Sequence, residues 1–250
     1  MRFRPKAVDF RPELYTAISP GYYDLVYQRG RGIQWFWHHH RFGVVSEGLP
    51  DPLGRVIDLG CGPGTFLGNL KKPFAHALGI DLAAPQIAYA QSRYSRPGLE
   101  FRAGDVTGLD RTERFDAAVS IEVVEHLRPE DTQGFLSAIY DILEPGGTMV
   151  LTTPNYRSLW PVLEWMVSKL GPVDYREQHN NPFDSGRLRR EVEQAGFIDV
   201  RCQTFFVIAP FLAAVSGSLA ESTLRWERRL LPSFGAELAL FARRPGGAAA

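Results

Sequence analysis

The sequence lacks any run of about 18 apolar residues, the length a membrane-crossing helix needs, so no spanning helix is expected. Cysteine is scarce: Cys61 and Cys202 are the only two in 250 residues. They lie far apart and form neither a disulfide framework nor a zinc spacing, which makes a reducing cytoplasm the default setting. Net charge is absent as well, with 28 Lys and Arg against 28 Asp and Glu. No global field then draws the chain to nucleic acid or to an anionic membrane, and no nucleic-acid partner is expected. The opening stretch "MRFRPKAVDFRPELY" is basic but has no apolar core, so it does not read as a signal peptide. What remains is 44% hydrophobic and 22% charged, which fits one large globular domain.

The most informative stretch is "RVIDLGCGPGTFLGNL", residues 55 to 70. Val56, Ile57 and Leu59 read as a buried strand. Gly60, Gly62 and Gly64 make a turn without side chains, and Thr65, Phe66, Leu67 and Leu70 follow at helical spacing. Glycines let a ligand approach the backbone closely. A dinucleotide loop would carry its third glycine three residues after the second, where this chain has Thr65. Asp58 beside the turn would repel a pyrophosphate but suits a cation. S-adenosylmethionine carries a sulfonium and an ammonium.

Further along, strand-like runs alternate with helix-like ones. "AHALGID", "LEFRAGD", "FDAAVSIE", "GTMVLTTP", "DVRCQTFFVI" and "AELALFARR" are strands; "APQIAYAQSRY", "EDTQGFLSAIYDIL" and "SGRLRREVEQAGF" are helices. Glu144, Pro145, Gly146 and Gly147 read as a turn before the fifth strand. The alternation predicts an α/β fold: a doubly wound, mostly parallel seven-stranded sheet with helices on both faces. Ligands then bind at the carboxyl ends of the strands. The expected division is a helical, aromatic-rich preface (1–50), a core (51–208), a helical insertion (209–234), a last strand (235–243) and a disordered tail (244–250).

The glycine loop, Asp81 in "LGIDLAAPQI", Asp105 in "AGDV" and "EPGGTMVLTTPN" together resemble the class I S-adenosylmethionine-dependent methyltransferases, most of all the ubiquinone-biosynthesis O-methyltransferase type. The resemblance runs over roughly residues 38 to 200 plus the last strand. It implies a Rossmann-like methyltransferase fold and S-adenosylmethionine as cofactor. Asp81 would accept both ribose hydroxyls, its plain alternative being a helix N-cap. Asp105 and the Val106 amide would read the adenine, unless Asp105 is an ordinary turn residue. Arg41 in "RFGVVSE" would hold the cofactor carboxylate, or else be a solvated helix arginine. Leu82 and Ile121 complete the expected cofactor site with Asp58 and the three glycines.

"SIEVVEHLRP" places Glu122, Glu125 and His126 at i, i+3 and i+4, on one face. The resemblance implies magnesium or a similar ion on this triplet, with His179 in "EQHNNPF" as a further ligand. Without metal, His126 or His179 would be the catalytic base. Asn181 stands where RNA-directed relatives carry a second histidine, which weakens an RNA reading. The run His38-His39-His40 points three ways on a helix and does not chelate, although one member would fit a pocket wall. Tyr22 and Tyr23 read either as a cap on the cofactor or as core. The insertion reads as a cover over the substrate, or as an interfacial helix giving peripheral membrane contact through residues 209–231.

The resulting expectation is methyl transfer to a small-molecule acceptor, foremost a hydroxyl on a lipophilic, phenolic or sugar-type metabolite. The alternatives are N- or C-methylation without metal, or a cofactor-binding interaction protein without catalysis.

Overall fold

The computed structural model describes residues 18–170 and 179–247. Its centre is a seven-stranded sheet: β1 (Leu53–Leu59), β2 (Phe74–Asp81), β3 (Leu99–Ala103), β4 (Phe115–Ile121), β5 (Leu143–Pro154), β6 (Ile198–Phe205) and β7 (Glu237–Arg243). The order is β3-β2-β1-β4-β5-β7-β6, and β7 runs antiparallel to both β5 and β6. This is the doubly wound, mostly parallel sheet expected from the alternating pattern.

The strand composition explains the two covered faces. Ala117, Ala118, Val119 and Ser120 of β4 are all fully buried, which requires cover above and below. On one face α5 (Thr132–Ile142) contributes Phe135, Leu136, Ile139 and Ile142, a single helical stripe. Leu188 and Val192 of α7 (Ser185–Gln194) join it. On the other face lie Phe66 and Leu67 of α3 (Thr65–Asn69) and Ile87, Ala90 and Tyr94 of α4 (Ala84–Tyr94).

The preface forms α1 (Tyr22–Gln28) and α2 (Ile33–Gly48). Asp24, only 1% exposed, accepts hydrogen bonds from the hydroxyls of Tyr89 and Tyr94 on α4. Gln86 accepts from the Gly21 amide and donates to the Ile18 carbonyl, at 3.0 and 3.1 Å. These bonds fasten the preface over the carboxyl ends of the strands. The insertion forms α8 (Ala209–Leu212) and α9 (Gly217–Leu230). Phe36 and Val44 of α2 pack with Phe206, Ala209, Ala220 and Leu224 in a third core cluster. The buried Glu227 carboxylate accepts the amides of Val207, Ile208 and Ala209 at 2.6–3.0 Å, satisfying the open start of α8.

Three segments differ from expectation. A helix, α6 (Trp160–Leu170), follows β5 where the sequence pattern predicts no element. Residues 144–147 do not form a separate turn but belong to β5, which shifts register against β4 there. Gly146 takes φ 84° and its amide donates to the Arg244 carbonyl, so the extra residues are absorbed as a bulge. Arg244, expected in a disordered tail, instead donates its amide to the Gly147 carbonyl and lays its guanidinium over the Tyr140 ring. Residues 248–250 of that tail lie outside the described residues.

Candidate active site

A cavity of about 660 Å³ opens at the carboxyl ends of β1, β2 and β4, beside the point where the strand order reverses between β1 and β4. Its wall includes Arg41, Asp58, Gly60, Gly62, Asp81, Leu82, Asp105, Val106, Ile121, Glu122, Glu125, His126 and His179. Of the expected cofactor, metal and catalytic residues, Gly64 alone is not on the wall.

The three loop glycines have different tasks. All take positive φ, 80°, 51° and 73° for Gly60, Gly62 and Gly64. A Cβ on Gly60 would meet Val123 at 2.3 Å, and one on Gly64 would meet Phe101 at 2.6 Å. Those two allow close packing of the loop on the core. A Cβ on Gly62 would meet nothing within 4 Å, since this backbone faces open space at the cavity.

Asp81 holds the loop from the end of β2. One oxygen accepts the Gly62 amide and the other the Ala83 amide, each at 2.8 Å. Burial pushes its carboxyl above the usual range, and the two amides pull it down. Asp58 is 1% exposed, and its Oδ1 has no hydrogen-bond partner among the described residues. Burial first, and then the Asp81 charge, push the Asp58 carboxyl up to about 8. A buried carboxylate oxygen without a partner calls for a cationic donor from the cavity. Asp105 is exposed and accepts both the amide and the hydroxyl of Thr107 through Oδ1, at 2.8 Å each.

Arg41 is not a solvated helix residue. It is 7% exposed, its Nε and Nη2 donate to the two oxygens of Glu237, and Nη2 also reaches Glu122 Oε2 at 3.2 Å. Burial opposes its charge, but Glu122 and Glu237 outweigh burial and hold the guanidinium protonated. Glu237, 1% exposed, also accepts from the Trp37 indole. Glu122 closes β4 at φ 56°, a left-handed conformation that costs a non-glycine residue about 1–2 kcal/mol.

The E-x-x-E-H triplet divides. Ligand atoms of Glu125, His126 and His179 lie within 4.8 Å of one another. Glu122, expected to hold the ion within the triplet, is not in that group. Its backbone turn aims the carboxylate at Arg41 and at the Thr152 hydroxyl, 3.0 Å away. Spacing put it on one face with Glu125, but the left-handed residue ends that periodicity. Glu125 is fully buried; Oε2 accepts from Thr153 at 3.0 Å and Oε1 has no hydrogen-bond partner among the described residues. Burial, and then the Glu122 charge, push its carboxyl well above the usual range. Three side chains here therefore have a donor set suited to a divalent ion, and four do not.

Several wall residues escaped the sequence reading. Trp160 and Leu163 come from α6, and Glu164 of that helix sits behind His179. The spacing of Trp160, Leu163 and Val167, with Pro161 in the first turn, is a helix signal that was available. Trp37 and Phe211 arrive from the preface and the insertion, bringing both over the cavity. Tyr23 lines the wall, whereas Tyr22 bonds Gln34 on the surface. The histidine run does point three ways: His38 into the cavity wall, His39 onto Trp35, and His40 to Glu221 at 2.9 Å. Burial and then Arg41 push His38 down to about 3, so it stays neutral.

The family described as "Methyltransferase domain" matches residues 36–201. The chain belongs to that family and is a class I S-adenosylmethionine-dependent methyltransferase. It is 36% identical over 103 residues to a ubiquinone biosynthesis O-methyltransferase of Rhodopseudomonas palustris, covering 40% of each chain. It is 31% identical over 139 residues to an uncharacterized methyltransferase of Mycobacterium bovis, covering 52% of this chain and 70% of that one. A SAM-dependent methyltransferase from Archaeoglobus fulgidus shares the fold at TM-score 0.59 and 21% identity, over 89% of this chain and 99% of that one. The chain spans about two fifths of the length of the ubiquinone-biosynthesis relatives it matches.

Proposed function

We propose that this enzyme methylates a hydroxyl of a small, lipophilic, phenolic or sugar-type acceptor. The observation that carries the reading is the convergence of His126, His179 and Glu125 on the same cavity wall as the Gly62 loop and Asp81. S-adenosylmethionine, when bound, supplies a methyl group on a sulfonium sulfur. The partnerless Asp58 Oδ1 and the open backbone at Gly62 fit its cationic amino-acid end and its close approach. Asp81 has lone pairs left for ribose hydroxyls, and Asp105 and Val106 line the same cavity, where they would read the adenine. Arg41, with Nε and Nη2 committed to glutamates, offers Nη1 to a carboxylate. A neutral hydroxyl is a poor nucleophile, so its proton must leave as the oxygen attacks. His126 or His179 takes that proton, and the walls hold the acceptor in line.

The Glu125 oxygen that accepts no hydrogen bond favours one second reading. A divalent ion on Glu125, His126 and His179 would polarise the acceptor oxygen in place of a base. The outer face of α9 supports a further element of the proposal. Leu219, Trp226 and Leu230 are exposed there beside Arg225 and Arg229, as a peripheral membrane contact delivering a greasy acceptor would require.

Labelled cofactor screened against phenols, lipid alcohols and amines tests the proposal. Hydroxyl acceptors should gain label, and His126→Ala or His179→Ala should lower turnover about 100-fold or more. Label passing only to amines or carbon acids would overturn the hydroxyl assignment. Full activity in EDTA-treated protein would eliminate the metal reading.

A further inference from the structure

Glu164 lies on α6, the helix that brings Trp160 and Leu163 to the cavity, and its carboxylate is nearly buried, at 7% exposure. Its Oε1 is 2.6 Å from His179 Nδ1 and accepts from the Tyr156 hydroxyl at 2.7 Å. Tyr156 Oη also lies 3.0 Å from that same Nδ1. A buried carboxylate needs donors. Among the described residues its ion-pair partner is no lysine or arginine but a histidine on the cavity wall. The His179 ring is packed beside Trp160 and His126, with centroids 6.1 and 4.9 Å away.

We propose that Glu164 is a positioning residue, seconded by Tyr156, which fixes His179 as the Nδ1–H tautomer and assigns Nε2 to the acceptor site. The inference rests on the reading of His179 as an acceptor-site residue. An ionised carboxylate only accepts, so the proton between Glu164 and His179 sits on Nδ1. In the neutral ring Nε2 then carries the lone pair. The Tyr156 hydroxyl donates to the same Glu164 oxygen, so its proton is engaged there and not at Nδ1. The same tautomer serves a base that takes the acceptor proton and a ligand that offers Nε2 to an ion. His179 and Glu164 are separated by 15 positions, and α6 carries the Glu164 side of the contact.

The test reads the tautomer without turnover. Full-length protein labelled with ¹⁵N-histidine and saturated with S-adenosylhomocysteine is examined by long-range ¹H–¹⁵N correlation at mildly alkaline pH, with His179 assigned through His179→Gln. The wild type should show His179 as Nδ1–H. Glu164→Ala should move it to mostly Nε2–H, and Glu164→Gln, which keeps an acceptor oxygen, should restore Nδ1–H. Affinity for S-adenosylhomocysteine should stay within about twofold of wild type in both variants. An Nε2–H tautomer in the wild type, or an unchanged tautomer in Glu164→Ala, overturns the proposal. The wild-type measurement decides even if Glu164→Ala does not fold. If instead the tautomer behaves as stated while His179→Ala retains full methyl transfer, it is the acceptor-site reading that fails.

Discussion

Cofactor binding should expel a proton from Asp58. In the free protein, burial and the neighbouring Asp81 charge hold this carboxyl up to about 8, against an ordinary value of 3.8. An ammonium favours the carboxylate, so pairing requires the proton to leave. The sign follows: affinity rises with pH while the free protein still holds the proton, and levels near pH 8. At pH 6.5 a group with a pKa of about 8 is about 97% protonated. The ligand's own amino group, ordinarily near 7.7–8.0, is then already almost wholly charged. Net release should be about nine tenths of a proton, and affinity should climb close to tenfold per pH unit between pH 6 and 7. Calorimetry of S-adenosylhomocysteine binding in two buffers of different ionisation enthalpy measures the release directly. Asp58→Asn should abolish most of it, which separates Asp58 from the less perturbed Asp81. Equal enthalpies in the two buffers for wild-type protein would refute the reasoning.

Gly62→Ala should fold at a cost of about 1–2 kcal/mol from its positive φ while losing cofactor, whereas Gly60→Ala and Gly64→Ala should lose stability first, because only Gly62 faces open space; thermal melts beside calorimetry check both. Asp81→Ala removes the acceptor of two backbone amides and should lower stability by about 1–3 kcal/mol and cofactor affinity at least tenfold, read by denaturant titration and calorimetry. If the outer face of α9 meets lipid, the protein should sediment with anionic vesicles, less so at high salt, and Trp226→Ser with Leu230→Ser should release it without changing the melt; sedimentation unchanged by those substitutions would show that α9 is not the contact.

The central sheet and the side of the cavity built by the glycine loop and the strand-end aspartates were legible in the chain because both are written in short-range pattern. Apolar runs, helical stripes and the glycine turn each lie within a few residues, and the parallel sheet brings successive strand ends to one edge. Asp58, Gly62, Asp81 and Asp105 therefore arrive at the cavity by connectivity alone. Packing between distant segments decided the remainder. Arg41 meets Glu237 from 196 positions away, and that pair draws Glu122 out of the triplet that its spacing suggested. The left-handed turn at Glu122 is unforeseeable from a glutamate, which carries no local preference for it. Gly60, Gly62 and Gly64 look equivalent in sequence; only the neighbours Val123 and Phe101, placed by the fold, separate packing glycines from the one that faces the cavity. Glu164 of α6 meets His179 beside Tyr156, just beyond β5, and no periodicity along the chain encodes which buried carboxylate a histidine will meet.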